Sequence, residues 1–135
     1  MVRRLRLDVP GPGLHEITEG VESVVRQAAV DEGLCTVYVR HTSASLTIQE
    51  NADPAVLRDL EAWLARLVPE GDALYSHTAE GPDDMPAHIK SALTQTSVSI
   101  PIQDGRLTLG TWQGIYLWEH RSRPQRRELV VHVGA

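Results

Sequence analysis

Near its start the chain alternates apolar Leu5, Leu7 and Val9 with polar Arg4, Arg6 and Asp8. A period of two belongs to a half-buried strand, so RLRLDV predicts the first strand. After the turn PGPG and a short HEI piece, the period lengthens. Val21, Val24, Val25, Ala28 and Ala29 recur at the spacing of an amphipathic helix, with Thr18 placed to cap it and Gly33 to end it. LCTVYVRH returns to alternation, setting Cys35, Val37, Val39 and His41 on one face, and SLTIQ predicts another short strand. In NADPAVLRDLEAWLARLVP, Asp53 and Pro54 form an N-cap and a first-turn proline. Leu57, Leu60, Leu64 and Leu67 make the buried stripe of that second helix, and Pro69 stops it. A third helix is expected from Asp83 and Asp84 to about Gln95, with Pro86 in its first turn and Met85, Ile89, Ala92 and Leu93 facing inward. SVSIPIQ, a tight DG turn, RLTLG, WQGIYLWEH and RRELVVHV then predict four strands. The order lacks sustained strand-helix-strand alternation. It predicts a single α+β domain over residues 1–135, with three helices on a largely antiparallel sheet or sandwich.

Composition narrows the function classes. A net charge of -5 does not provide the broad basic face that nucleic acid or an anionic membrane requires. No run approaches the ~20 uncharged residues of a membrane helix, and MVRRLRLDVPGPG has no apolar core of a secretion signal. A soluble, cytoplasmic protein is expected. Cys35 is the only cysteine, which excludes an internal disulfide framework and predicts a small core residue. Among positive charges Lys90 stands alone against twelve arginines, and the run from Arg121 to Arg127 reads as a solvated loop, with a local anion clamp as the alternative.

The candidate chemistry lies in the histidines, six in a chain without phenylalanine. His41 closes a strand and is followed by the hydroxyls of Thr42, Ser43 and Ser45 on an expected turn, a group suited either to a phosphate or to capping itself. On the third helix, at 100° per residue, His88 falls roughly 85° to one side of the apolar stripe and Lys90 roughly 115° to the other. The two cannot face the same spot. His77, in the preceding irregular stretch, is free to approach His88. His41, His77 and His88, with Glu50, Glu80, Asp83 and Asp84 nearby, form a candidate divalent-metal site with an open position. Their spacing is unspecific, and scattered structural histidines are the alternative. Gly110 and Gly114 bracket Trp112 and Gln113, which fits either a bulged strand or a platform for a flat heterocycle.

Three segments, HTSASLTIQENADP, HTAEGPDDMPAHIKSAL and GRLTLGTWQGIYLWEHR, together resemble the YjbQ family, whose members carry the name secondary thiamine-phosphate synthase enzymes. The likeness spans the whole chain. It implies a compact α+β domain, a homotrimer, and a pocket built from His41, Thr42, Ser43, Glu50, Asn51, His77, Asp84, His88 and the segment Gly110, Thr111, Trp112, Gln113, Gly114. The implied reaction joins a pyrimidine diphosphate to a thiazole phosphate, giving thiamine phosphate and pyrophosphate. Zinc at the histidines, or magnesium with the diphosphate, would stabilise the leaving group while Trp112 stacks on the pyrimidine. A chain of 135 residues is too short for a (β/α)8 barrel of ~200 or more, so that chemistry would run on an unrelated scaffold. The alternatives are a metal-dependent hydrolase of a phosphorylated small molecule, with Glu50, Glu80 or Asp84 as general base, and a non-catalytic metal or metabolite binder.

Overall fold

The computed structural model describes residues 1–135. The elements run β1 (Val2–Val9), β2 (Gly13–Glu16), α1 (Thr18–Ala28), β3 (Gly33–Val39), β4 (Ala44–Glu50), α2 (Pro54–Leu67), α3 (Asp84–Leu93), β5 (Ser97–Gln103), β6 (Arg106–Leu107), β7 (Gln113–Glu119) and β8 (Gln125–Gly134). They build two antiparallel sheets, a five-stranded one in the order β1-β8-β3-β5-β6 and a three-stranded one in the order β2-β7-β4. The expected α+β fold with three helices is what forms. No helix is long and apolar enough to cross a membrane.

The main core gathers alternate residues of β3, β5 and β8 with Val21, Val24 and Val25 of α1 and Leu46, Ile115 and Leu117 of the smaller sheet. Helices α2 and α3 pack against β2 and β4, where Leu64, Val68 and Trp118 make a second, smaller cluster. The small sheet is thus covered on both faces, and its middle strand β7 is buried from Gly114 to Glu119. Whatever follows Glu119 emerges directly from the interior.

Several local expectations need correction. Helix α1 ends at Ala29, in the left-handed region at φ 52, whereas Gly33 opens β3. Glycine stands at position 33 because a Cβ would lie 2.1 Å from the Gly134 carbonyl oxygen. Thr18 makes no side-chain cap. Its hydroxyl accepts the Ile115 N–H at 2.9 Å and donates to Glu16 at 2.8 Å. The HEI piece belongs to a true strand, β2, paired with β7. In α2 Asp53 caps as expected, accepting the Ala55 N–H at 2.9 Å, but Leu64 alone of the leucine stripe is fully buried and Leu67 is 53% exposed. The buried face of α3 is Asp84, Ala87 and Ser91, with Pro86 also enclosed. Leu93 lies in solvent. Small and hydrogen-bonded residues let that face approach β4 closely, as the Ser91 hydroxyl bond to the Ala44 carbonyl at 3.1 Å shows. The TSAS turn is shorter than expected, because Ala44 and Ser45 already belong to β4. The DG turn is as expected, with Asp104 and Gly105 both at positive φ.

Candidate metal centre at the start of helix α3

Asp83 and Asp84 start α3 below the exposed stretch that carries His77, and Asp84 points one oxygen at two imidazoles. Its Oδ2 lies 2.6 Å from His77 Nε2 and 3.1 Å from His88 Nε2. His88 reaches it because residues four apart share a helix face. The two rings meet edge to face, with centroids 5.4 Å apart. One ligand atom from each of His77, Asp84 and His88 falls within a span of 4.8 Å. Asp84 is buried, while the side chains of His77 and His88 keep 43% and 34% of their exposure. A cavity of about 470 Å³ lined by Tyr75, His77, Thr78 and Met85 opens beside them.

Arg121 holds this arrangement from behind. Its Nη1 lies 3.0 Å from Asp84 Oδ1, its Nε donates to Asp83 Oδ2 at 2.8 Å, and its Nη2 donates to the Glu80 carbonyl at 3.2 Å. Asp83 also accepts the Ser122 N–H at 3.0 Å. The Arg121 bond keeps the Asp83 carboxyl well below the usual carboxylate range. Burial works against ionisation of Asp84, but the His77 bond, the Arg121 charge and His88 outweigh it and lower its pKa. Both acids are carboxylates at neutral pH. Two imidazole nitrogens and one carboxylate oxygen make a mixed N/O donor set that suits zinc, iron, nickel or cobalt better than magnesium.

His41 does not join the other two histidines. It stands past the end of β3 with Nε2 accepting the Glu128 N–H at 2.8 Å, and burial, then the Arg127 charge, lowers its pKa. Asp84 supplies the third donor instead. The hydroxyls of the TSAS stretch are also committed internally. Ser43 accepts from Arg127 Nη2 at 2.9 Å, Ser45 is fully buried against His120, and Thr42 is exposed. Arg127 in turn forms an enclosed ion pair with Glu119, its Nε donating to Oε1 at 2.7 Å.

Glu50, Asn51 and the Gly110 to Gly114 segment form a separate group. The Asn51 N–H binds the Trp112 carbonyl at 2.9 Å, the Gly110 N–H binds Gln113 Oε1 at 2.8 Å, and Glu50 accepts the Asp53 N–H at 3.1 Å. The segment is a tight turn into β7 rather than a bulge, with Thr111 exposed and Trp112 63% exposed. In the register of β4 and β7, Glu50 faces Gln113 and Ala44 faces Glu119. Six residues of strand, about 20 Å, separate the two ends. Within one chain the Trp112 platform and the residues around Ser43 therefore lie apart. Arg121, Glu119, Arg127 and His120 were missed as partners, since the sequence signals only an arginine-rich loop.

The family described as UPF0047 protein YjbQ-like matches residues 4–135. The chain belongs to this family. The UPF0047 protein sll1880 of Synechocystis is 62% identical over 91% of this chain and 84% of its own length. UPF0047 protein YjbQ of Escherichia coli O157:H7 is 41% identical over 95% and 93%. Among solved structures, an uncharacterized YjbQ/UPF0047 protein from Clostridium acetobutylicum superposes with TM-score 0.89 at 38% identity, covering 98% of this chain and 99% of that one. A hypothetical protein from Aeropyrum pernix reaches TM-score 0.90 at 25% identity, over 100% and 98%. The bacterial and archaeal structures share this fold, and the names of these relatives assign no reaction, the thiamine-phosphate synthase name that the resemblance implies not being among them.

Proposed function

We propose that the chain is a metal-dependent enzyme acting on a phosphorylated small molecule, with the ion held by His77, Asp84 and His88. The observation that carries this reading is the convergence of three donor atoms within 4.8 Å, on part-exposed rings beside an open cavity. A bound ion would supply Lewis-acid polarisation of a phosphoryl oxygen. Arg121 orients Asp84 through Oδ1 and leaves Oδ2 free to ligate. Its remaining nitrogens are engaged by Asp83 and Glu80, so it positions the carboxylate rather than clamping substrate phosphate. Of the carboxylates considered as general base, Glu50 lies at the far end of β4 and Asp84 is a ligand. Glu80, exposed beside the centre, is left for proton transfer.

Thiamine-phosphate synthesis is the finer version of the same reading, with the leaving diphosphate at the metal. It needs Trp112, some 20 Å of strand away, to be delivered by a second copy, as in the homotrimer the resemblance implies. Sedimentation of the purified protein as a monomer would remove that version. Elemental analysis of untagged protein, beside a His77→Ala/His88→Ala variant of confirmed fold, tests the centre itself. Near one metal per chain, lost in the variant, is expected; protein that stays metal-free after soaking in zinc, nickel and iron overturns the proposal. Phosphate release from a panel of phosphorylated metabolites, against thiamine phosphate formation, then separates hydrolysis from synthesis, and metal binding without turnover of either leaves a binder.

A further inference from the structure

On the other side of α3 lies a cavity of about 210 Å³ that uses none of the metal-centre residues. Its wall includes Lys90, His120, Trp118, Glu61 and Leu64. His120 is 6% exposed, and its Nε2 is 2.8 Å from the Oγ of Ser45, which is fully buried. That imidazole is the one bonding partner the Ser45 hydroxyl has. If Nε2 carried the proton, the hydroxyl hydrogen would be left without an acceptor in the interior, at a cost of about 1–3 kcal/mol. Ser45 therefore donates, Nε2 accepts, and the ring proton sits on Nδ1. Nδ1 makes no bond within the chain, yet no buried side-chain nitrogen or oxygen lacks a partner, so Nδ1 keeps contact with solvent, and the cavity that His120 lines can supply it.

Lys90 is the second donor. It is half-buried, lies near enough to His120 for its charge to act on the ring, and takes part in none of the ion pairs of the chain. We propose that this cavity binds a small molecule through an oxyanion, carboxylate or phosphate, held between the Lys90 ammonium and the Nδ1–H of His120. Both groups are donors without an internal acceptor, and the enclosing Trp118 and Leu64 strengthen charge-assisted bonds made there. Glu61 completes the chemistry. Its Oε1 accepts the Leu14 N–H at 2.9 Å and no cation pairs with it, so an oxyanion that also carries an amine is favoured over a bare one. Glu119, the other acid of the wall, is already neutralised by Arg127.

Imidazole ¹H–¹⁵N correlation spectra of the intact protein, titrated separately with inorganic phosphate, acetate and glycine, test the site. His120 should show a protonated Nδ1 and an unprotonated Nε2, and at least one probe should shift its Nδ1 signal saturably. Lys90→Met should weaken that binding about tenfold or more, as loss of a charge-assisted bond does, and Lys90→Arg should largely keep it. Phosphate against acetate identifies the preferred oxyanion. Glycine should bind more tightly than acetate, with the advantage lost in Glu61→Gln; equal binding removes Glu61 from the site. With both proteins stripped of metal, the His77→Ala/His88→Ala variant should titrate as the natural protein does, which keeps this test separate from that of the metal centre. A proton on Nε2, no response of His120 to any of the three probes, or affinities unaltered by Lys90→Met would overturn the proposal.

Discussion

Acidification should destabilise this protein well before its carboxylates titrate, and His120 is the reason. Burial, then the charges of Lys90 and Arg127, lower its pKa to about 3 from an ordinary value near 6.5. The unfolded chain takes up a proton on this ring below about pH 6.5, whereas the native state refuses it until about pH 3. More protons on the unfolded side mean that stability is full above pH 6.5 and falls as pH drops through that window. The limiting slope is about 1.4 kcal/mol per pH unit, which puts the loss between pH 7 and pH 5 at about 2 kcal/mol. Urea unfolding at both pH values measures it. His41 contributes in the same direction, so the diagnostic quantity is the difference between the natural protein and His120→Gln, which can still accept from Ser45 but cannot titrate. The variant should lose about 2 kcal/mol less over the same interval. Equal losses would mean that His120 protonates in the native state near its ordinary pH, and that the ring is open to water rather than enclosed by Trp118 and Ser45.

Two stability predictions rest on other contacts. Arg127→Met leaves Glu119, 1% exposed, as a buried carboxylate without its guanidinium, and should cost about 3–5 kcal/mol in chemical unfolding; Arg127→Met with Glu119→Leu should recover much of that loss, and no recovery would contradict the assignment to an unpaired charge. Gly33→Ala forces a Cβ to within 2.1 Å of the Gly134 carbonyl, so the β3–β8 pairing must shift there at a cost of about 1–3 kcal/mol, read as a lower thermal midpoint.

Strand content was legible because alternation of period two survives in β1, β3, β5 and β8, each of which buries one face against the main core. The helix faces were less so. In α3 the inward positions are Asp84, Ala87 and Ser91, and a hydrophobic stripe cannot announce a face that packs through a serine bond to Ala44 and a carboxylate held by Arg121. His77, Asp84 and His88 were each singled out from the sequence, being a short helix-start constellation whose members sit within twelve residues. His41 was grouped with them because a strand end is a common place for a site. What decides its place is the Glu128 N–H, 87 positions away in sequence, and nothing local signals that contact. Arg121 escaped for the same reason, since its acids lie 38 and 37 positions earlier.

Helix α3 ties these observations together, because it separates two kinds of chemistry by rotation alone. About the centre of the Asp84, Ala87 and Ser91 face, His88 stands roughly 65° to one side and Lys90 roughly 95° to the other. The correction to the buried face therefore leaves the earlier conclusion intact that these two side chains cannot serve one spot. His88 turns to His77 and Asp84 beside one cavity, and Lys90 turns to a second, whose wall includes His120. The connection between them is β7. The strand delivers Glu119 and His120 to the interior, and the very next residue, Arg121, reaches the two aspartates at the helix start. A ligand that draws on Lys90 and His120 therefore pulls on the same strand end that positions Asp84, so occupation of that cavity should alter metal affinity at the His77, Asp84 and His88 centre, and the effect should be reciprocal. Zinc titrations with and without the best of the three probes measure it directly, and equal affinities would mean that α3 insulates the two sites as well as separating them.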